Sequence, residues 1–282
     1  MLIQEHIMER WQDRLEAVRA SPWQAGDNDY LRLIKPLCNL RRGCTAVDVG
    51  SLVGLYASQM AEHAAHTLCY EPLPDARAVL TQNLAAYGNR VTIRDCALSD
   101  KRGEAQLSFP ICGQTAVKQW ASIEKDFAKL ASDFPGRIDG IASMTVPLRT
   151  LDDELVELKL PPVAYLKIDA EGAEEAILRG SRITLLRDRP FILCELEERH
   201  VPGCTQRMPE FLASLNYDVY FILGSRIYPA ASFDAMVLQV GPAVPQFAMP
   251  EAAFSKPYIQ MFMGLPREDK AMVDCIRNTL SS

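Results

Sequence analysis

Between residues 45 and 94 the chain alternates short apolar runs with stretches of helical periodicity, and this alternation constrains the fold more than any other feature. TAVDV (45–49), TLCY (67–70) and the run Arg90–Arg94 read as strands, and the stretches at about 54–64 and 75–87 between them read as helices. Strands joined through helices run parallel, and a parallel sheet needs helices on both faces. The same rhythm returns as a strand over Val163–Ile168, a helix over 172–180 and a strand over Phe191–Leu196. Asp218–Ile222 and Ala235–Val240 then read as the antiparallel hairpin that closes such a sheet. The expected fold is α/β: a doubly wound, mostly parallel sheet of seven strands, Rossmann-like in plan.

Around this core, Ile3, Ile7, Trp11, Leu15 and Val18 share one helical stripe, and a second helix is expected from about Tyr30 to Leu40, with Pro36 as a point of kinking. Residues 1–44 are therefore expected as a helical segment packed on the core, 45–240 as the main domain and 241–282 as an extension. Five prolines between Gly241 and Pro266 predict mostly irregular chain there, with a short helix after Pro266. The rhythm breaks at 104–149, where EAQLSFP and MTVPLRT read as short strands bracketing an insert. Val117, Trp120, Ile123, Phe127 and Leu130 recur at steps of three and four and predict an amphipathic helix inside it. Trp120 and Phe127 on that helix serve either as a wall for a ligand or as packing against the domain or a second copy of the chain, so a homo-oligomer stays open.

Composition narrows the partners. A net charge of −6 with no dense Lys/Arg cluster argues against nucleic acid. No apolar run approaches about 18 residues, so no membrane span is expected. MLIQEHIMERWQDR lacks the apolar core of a secretory signal, and the eight cysteines are scattered without a CxxC pair. Buried free thiols in a reducing compartment fit that pattern, and the expected location is cytoplasmic.

The turn after the first strand, DVGSLVGLYA (48–57), is where a doubly wound sheet holds its ligand. Gly50 lets the chain bend sharply, Gly54 lets a helix or ligand approach closely, and the helix that follows presents unpaired N–H groups that favour an anionic group. Glu71 ends the second strand, 23 residues beyond Asp48, and Pro72 keeps it out of helical geometry. A carboxylate there suits both hydroxyls of a ribose. Nicotinamide dinucleotides and S-adenosylmethionine both meet these conditions. The dinucleotide turn is G-x-G-x-x-G, and here the bulky Leu52 stands where its middle glycine lets a pyrophosphate approach. A methionine carboxylate needs less room, and Asp48 offers an acceptor suited to an ammonium group, so S-adenosylmethionine is favoured. The expected binding set is Asp48, Gly50, Ser51 and Gly54 in the turn, Glu71 at the ribose, and Asp95, Cys96 and Ala97 beside the adenine. The plain alternative is a tight turn with no ligand.

Taken in order, DVGSLVGLYA (48–57), YEPLPDA (70–76), CALSDKRGEAQL (96–107), PLRTLDDEL (147–155), LKIDAEGAEEAILRGS (166–181) and PFILCELEERH (190–200) resemble the FkbM-type methyltransferases. The resemblance covers about 45–200, and LKIDAEG is its most specific piece. It implies a class I S-adenosylmethionine-binding fold and O-methylation of a hydroxyl, often on a sugar, glycolipid or secondary metabolite, so the expected partner is a small-molecule or glycan acceptor. The family usually carries Asn where this chain has Leu52.

Methyl transfer requires an acceptor oxygen aligned behind the methyl carbon and a base for the hydroxyl proton. KIDAEG (167–172) supplies Asp169 as first choice for base or acceptor-positioning group and Glu171 as second, although Glu171 equally suits a helix cap. Lys167 either joins the site or pairs with one of these carboxylates. Glu195 and His200, at the end of the fifth strand, are further candidates, while a surface position is the plainer expectation for His200. Asp169, Glu171 and Glu195 could bind a divalent cation if they converge, but their spacing assigns no metal site. Asp152, Asp153 and Glu154 read as a helix start after Thr150. Two rival readings stand beside the O-methyltransferase: a catalytically silent cofactor-binding module, favoured by Leu52 and opposed by the intact KIDAEG, and a nicotinamide-dependent oxidoreductase.

Overall fold

A computed structural model describes residues 29–112, 115–133, 135–223, 226–240 and 259–281. The helical stripe expected from Ile3 to Val18 and most of the proline-rich stretch lie outside the described residues.

The chain opens with helix α1 (Asp29–Leu40), which runs through Pro36, and then alternates β1 (Thr45–Val49), α2 (Leu55–His63), β2 (His66–Tyr70), α3 (Pro74–Leu84) and β3 (Val91–Arg94). Next come β4 (Ala97–Leu98), β5 (Gly103–Cys112), β6 (Thr115–Ala116), α4 (Phe127–Asp133), β7 (Gly140–Arg149) and α5 (Leu151–Leu158). The alternation resumes with β8 (Val163–Ile168), α6 (Glu174–Arg179), α7 (Arg182–Asp188), β9 (Phe191–Glu195) and α8 (Cys204–Ser214). β10 (Tyr217–Leu223), β11 (Arg226–Pro229), β12 (Met261–Pro266) and α9 (Lys270–Ser281) complete it.

The main sheet has the order β11-β10-β12-β9-β8-β1-β2-β3. From β9 to β3 neighbouring strands are parallel, as the helical crossovers require. Every residue of β1 is buried because apolar layers cover both faces: Val47 and Val49 point into one cluster with Leu166 and Ile168, and Ala46 into the other with Tyr165 and Leu193. The chain leaves β1 toward β2 and β3 on one side and returns to β8 and β9 on the other, so the order reverses between β1 and β8.

Three features differ from expectation. The sheet holds eight strands, because β11 adds an edge beyond β10. The antiparallel strand beside β10 comes from MFMGLP at 261–266, and residues 236–240 form a π-helical turn instead. β12 lies between β9 and β10 and is buried along its whole length, so its sequence is a continuous apolar run without the two-residue alternation of a half-exposed strand. Third, the insert carries its own sheet, β4-β7-β5-β6, built on a nine-residue antiparallel pairing from Gly103↔Leu148 to Ile111↔Gly140. The helix expected through 117–130 is broken: Ser122 exchanges backbone hydrogen bonds with Ser108 of β5, leaving a single 3-10 turn at Lys118–Trp120 and the short α4. Docking on β5 satisfies the backbone locally, and that overrides the helical periodicity of the side chains.

Candidate active site

The loops after β1 and β8 meet at the point where strand order reverses. Gly50 has φ +74°, and a Cβ there would lie 1.9 Å from the carbonyl oxygen of Asp169, so only glycine permits the contact. Leu52 adopts φ +47°, a left-handed conformation that Asn accepts more readily than Leu. Ser51 closes the turn by donating its hydroxyl to the carbonyl of Asp48 at 2.8 Å. Gly54 points elsewhere: its Cβ would meet Leu80 Cδ1 at 2.8 Å, so it admits α3 and does not line the cavity. The first turn of α2 has no side-chain cap.

These loops floor a cavity of about 330 Å³. Glu71 forms one wall. It is buried, its carboxylate accepts N–H bonds from Leu52 at 2.8 Å and Leu73 at 2.9 Å, and the turn and the end of β2 are thereby tied together. Burial pushes the Glu71 carboxyl up to about 7, against the pull of those two N–H donors. Each oxygen keeps acceptor capacity for a further donor. Cys96 and Ala97 line the same side, whereas Asp95 is exposed and outside the lining.

Parallel registry of β1 with β8 sets Asp48 opposite Lys167. Both are buried, with Lys167 Nζ 3.2 Å from Asp48 Oδ1 and 3.5 Å from Asp169 Oδ2. Lys167 also donates to the carbonyls of Gly50 at 3.0 Å and Val49 at 3.3 Å, so it pins the turn. Burial alone would lower the Lys167 ammonium, but Asp48 and Asp169 outweigh it and hold it above its ordinary value. Burial raises Asp48 despite Lys167. Asp48 is thus committed to Lys167, while the carboxylate of Asp169 is about one-third exposed at the cavity.

Glu171 and Glu195 also line the cavity. Glu171 sits at φ +56° and pairs with Lys125, and its carbonyl accepts the Ser122 hydroxyl at 2.7 Å. The capping role weighed for Glu171 belongs to Glu174, whose carboxylate accepts from the N–H groups of Ala170 and Gly172. Burial raises Glu195 well above the carboxylate range, and Asp169, Glu171 and Glu197 push the same way. His200 is no surface histidine: its side chain is 6% exposed, behind the cavity lining, among Glu171, Glu195 and Glu197. Burial, Lys125 and Arg199 all disfavour its imidazolium.

Sequence reasoning missed Lys125 and Ser122, which reach the site from the insert, and Gln260, which lines the cavity just before β12. Only the assignment of β12 could have pointed to Gln260. The helix start expected after Thr150 is present, with Thr150 Oγ1 accepting from Asp153 N–H at 3.1 Å.

A reversed parallel sheet closed by an antiparallel strand, with a glycine turn and an acidic second-strand end around one cavity, defines the class I methyltransferase fold. The model of the methyltransferase FkbM domain matches residues 48–219, and the chain belongs to the FkbM methyltransferase family. It is 29% identical over 140 residues to the 2-O-methyltransferase NoeI of Sinorhizobium fredii, covering 49% of this chain and 56% of that protein. It is also 29% identical over 164 residues to the methyltransferase sdnD of Sordaria araneosa, covering 51% of this chain and 62% of that protein. The matches thus span little more than half the length of these relatives. Among solved structures, the methyltransferase FkbM from Methylobacillus flagellatus KT aligns with a TM-score of 0.47 at 12% identity, over 79% of this chain and 43% of that one. No helix among the described residues is long and apolar enough to cross a membrane.

Proposed function

We propose that the protein is an S-adenosylmethionine-dependent O-methyltransferase acting on a hydroxyl of a small molecule or glycan precursor. The observation that carries this reading is the cavity itself, with Glu71 and the uncapped start of α2 along one side and the carboxylates of Asp169, Glu171 and Glu195 along the other. The donor set fits the cofactor. Glu71 has acceptor capacity left for ribose hydroxyls, backbone groups of Cys96 and Ala97 suit an adenine edge, and the first N–H groups of α2 suit a carboxylate. Leu52 crowds the approach a pyrophosphate would need, which disfavours a nicotinamide dinucleotide.

Bound there, the cofactor supplies an activated methyl group that passes from sulfur to oxygen. The chain has to hold the acceptor oxygen about 3 Å behind that carbon and take its proton. Asp169 is the residue proposed to accept the proton, since its carboxylate faces the cavity while Asp48 and Lys167 are occupied with each other. Glu71 orients the cofactor, and Lys167 keeps the turn in place. The name of the NoeI relative, a 2-O-methyltransferase, supports oxygen as the acceptor atom.

Calorimetric titration with S-adenosylmethionine and with NAD tests the cofactor, and binding of NAD alone overturns the reading. Incubating a host extract with isotopically labelled cofactor and finding the labelled product by mass spectrometry identifies the acceptor. Asp169→Ala should abolish labelling while leaving cofactor binding intact. A wild-type protein that binds the cofactor yet labels nothing would instead favour the catalytically silent module.

A further inference from the structure

We propose that Glu171, Glu195 and His200 form a binding site for a divalent first-row transition cation at the inner end of the cavity. One ligand atom from each of the three lies within 4.8 Å of the other two. A second, independent observation marks the cluster. Both ring nitrogens of His200 and Oε2 of Glu195 are buried without a hydrogen bond, and both side chains are 6% exposed. Buried polar atoms normally have partners, so an orphaned imidazole with its Nδ1 3.6 Å from an orphaned carboxylate oxygen marks a missing one.

The neighbouring charges leave this role open. His200 Nε2 lies 3.1 Å from Glu197 Oε2, but Glu197 is already bound by both nitrogens of the Arg199 fork. Glu171 approaches Nε2 at 3.5 Å and Glu195 approaches Nδ1 at 3.6 Å. Metal bonds of about 2.0–2.2 Å place neighbouring ligands roughly 3 Å apart. A turn of the imidazole and a small inward shift of both carboxylates therefore complete the site. Lys125, paired with Glu171, is the cation in closest competition, and a metal ion at the site has to displace its ammonium. An imidazole with two carboxylates suits Mn²⁺, Fe²⁺ or Zn²⁺ better than the all-oxygen preference of Mg²⁺. The remaining coordination positions open toward the cavity, where water or an acceptor oxygen would occupy them.

The test uses the full chain stripped with a chelator and titrated with MnCl₂, without any methyl donor, while the six-line electron paramagnetic resonance signal of free Mn²⁺ is followed. Uptake of one equivalent is expected. Glu195→Gln and His200→Asn should each weaken it at least tenfold, Lys125→Met should tighten it, and Asp218→Asn, an exposed control, should leave it unchanged. Should either ligand variant fail to fold, Mn²⁺ must still raise the melting temperature of Lys125→Met more than that of the wild type. No uptake by wild type or Lys125→Met at millimolar Mn²⁺, or uptake indifferent to both ligand substitutions, overturns the site. Because the readout is cation binding alone, that failure would leave the proposed methyl transfer standing.

Discussion

The Cβ that any residue other than glycine would carry at position 50 falls 1.9 Å from the carbonyl oxygen of Asp169, so the turn after β1 and the loop after β8 are in direct backbone contact. Lys167 reinforces that contact from beneath. The groups proposed for the cofactor and the group proposed for the proton are therefore fixed relative to one another by the backbone and one buried cation.

Gly50→Ala should separate the two loops. Left-handed φ costs an alanine roughly 1–2 kcal/mol, and forcing a methyl into packed backbone adds about 1–3 kcal/mol. A loss of about 2–5 kcal/mol in urea unfolding is expected, together with loss of cofactor binding. Gly54→Ala is the matched control. Its clash is with the tip of Leu80, a flexible side chain, so a smaller loss and retained binding are expected. Equal effects at the two positions would refute the distinction.

Lys167→Met leaves Asp48 buried without its cation. Breaking such a pair typically costs about 3–5 kcal/mol, whereas replacing both partners often costs little. The double variant Asp48→Asn/Lys167→Met should therefore be more stable than Lys167→Met alone, by chemical denaturation. If it is less stable, the pair is not what fixes these two residues.

The sheet from β1 to β9 was legible because its signal is local: buried parallel strands are short apolar runs, and each ends at a recognisable turn. β12 was not, because MFMGLP follows a proline-rich stretch and its strand partners are about 45 and 70 residues away in sequence. At the site, the glycine turn, Glu71 and KIDAEG could be read because backbone geometry dictates their residue types. Leu52 could be flagged as a departure, but that the position is left-handed, which Asn accepts more readily, is seen only in its φ of +47°. The approach of Lys125 to Glu171 depends on how the insert meets the loop after β8, and no spacing encodes that.

Ser122 joins the insert to the site, since its hydroxyl donates to the Glu171 carbonyl and accepts from the N–H groups of Glu124 and Lys125, both at 3.0 Å. Ser122→Ala leaves these groups unpaired in a largely buried corner. A destabilisation of about 1–3 kcal/mol is expected. Hydrogen exchange at Glu124 and Lys125 should quicken while the amides of β1 stay protected. Uniform quickening would show that the hydroxyl supports the whole fold and not the insert alone.

Glu71 should make both stability and cofactor affinity depend on pH. Its carboxyl rises from an ordinary 4.5 to about 7 on burial, so between those values the folded protein holds a proton that the unfolded chain releases. Stability from this group is therefore greatest at low pH, falls as pH rises through that window by about 3 kcal/mol in all, and levels off above it. The difference in unfolding free energy between wild type and Glu71→Gln, measured from pH 5 to 8, should follow that slope, because the amide cannot titrate. A pH-independent difference would remove Glu71 as its source. Affinity should move the opposite way: a protonated carboxyl gives up acceptor capacity, so S-adenosylmethionine should bind the wild type roughly tenfold tighter at pH 8 than at pH 6. The Gln variant should bind weakly at both pH values, since its amide offers one acceptor oxygen to the Leu52 and Leu73 amides and the ribose together.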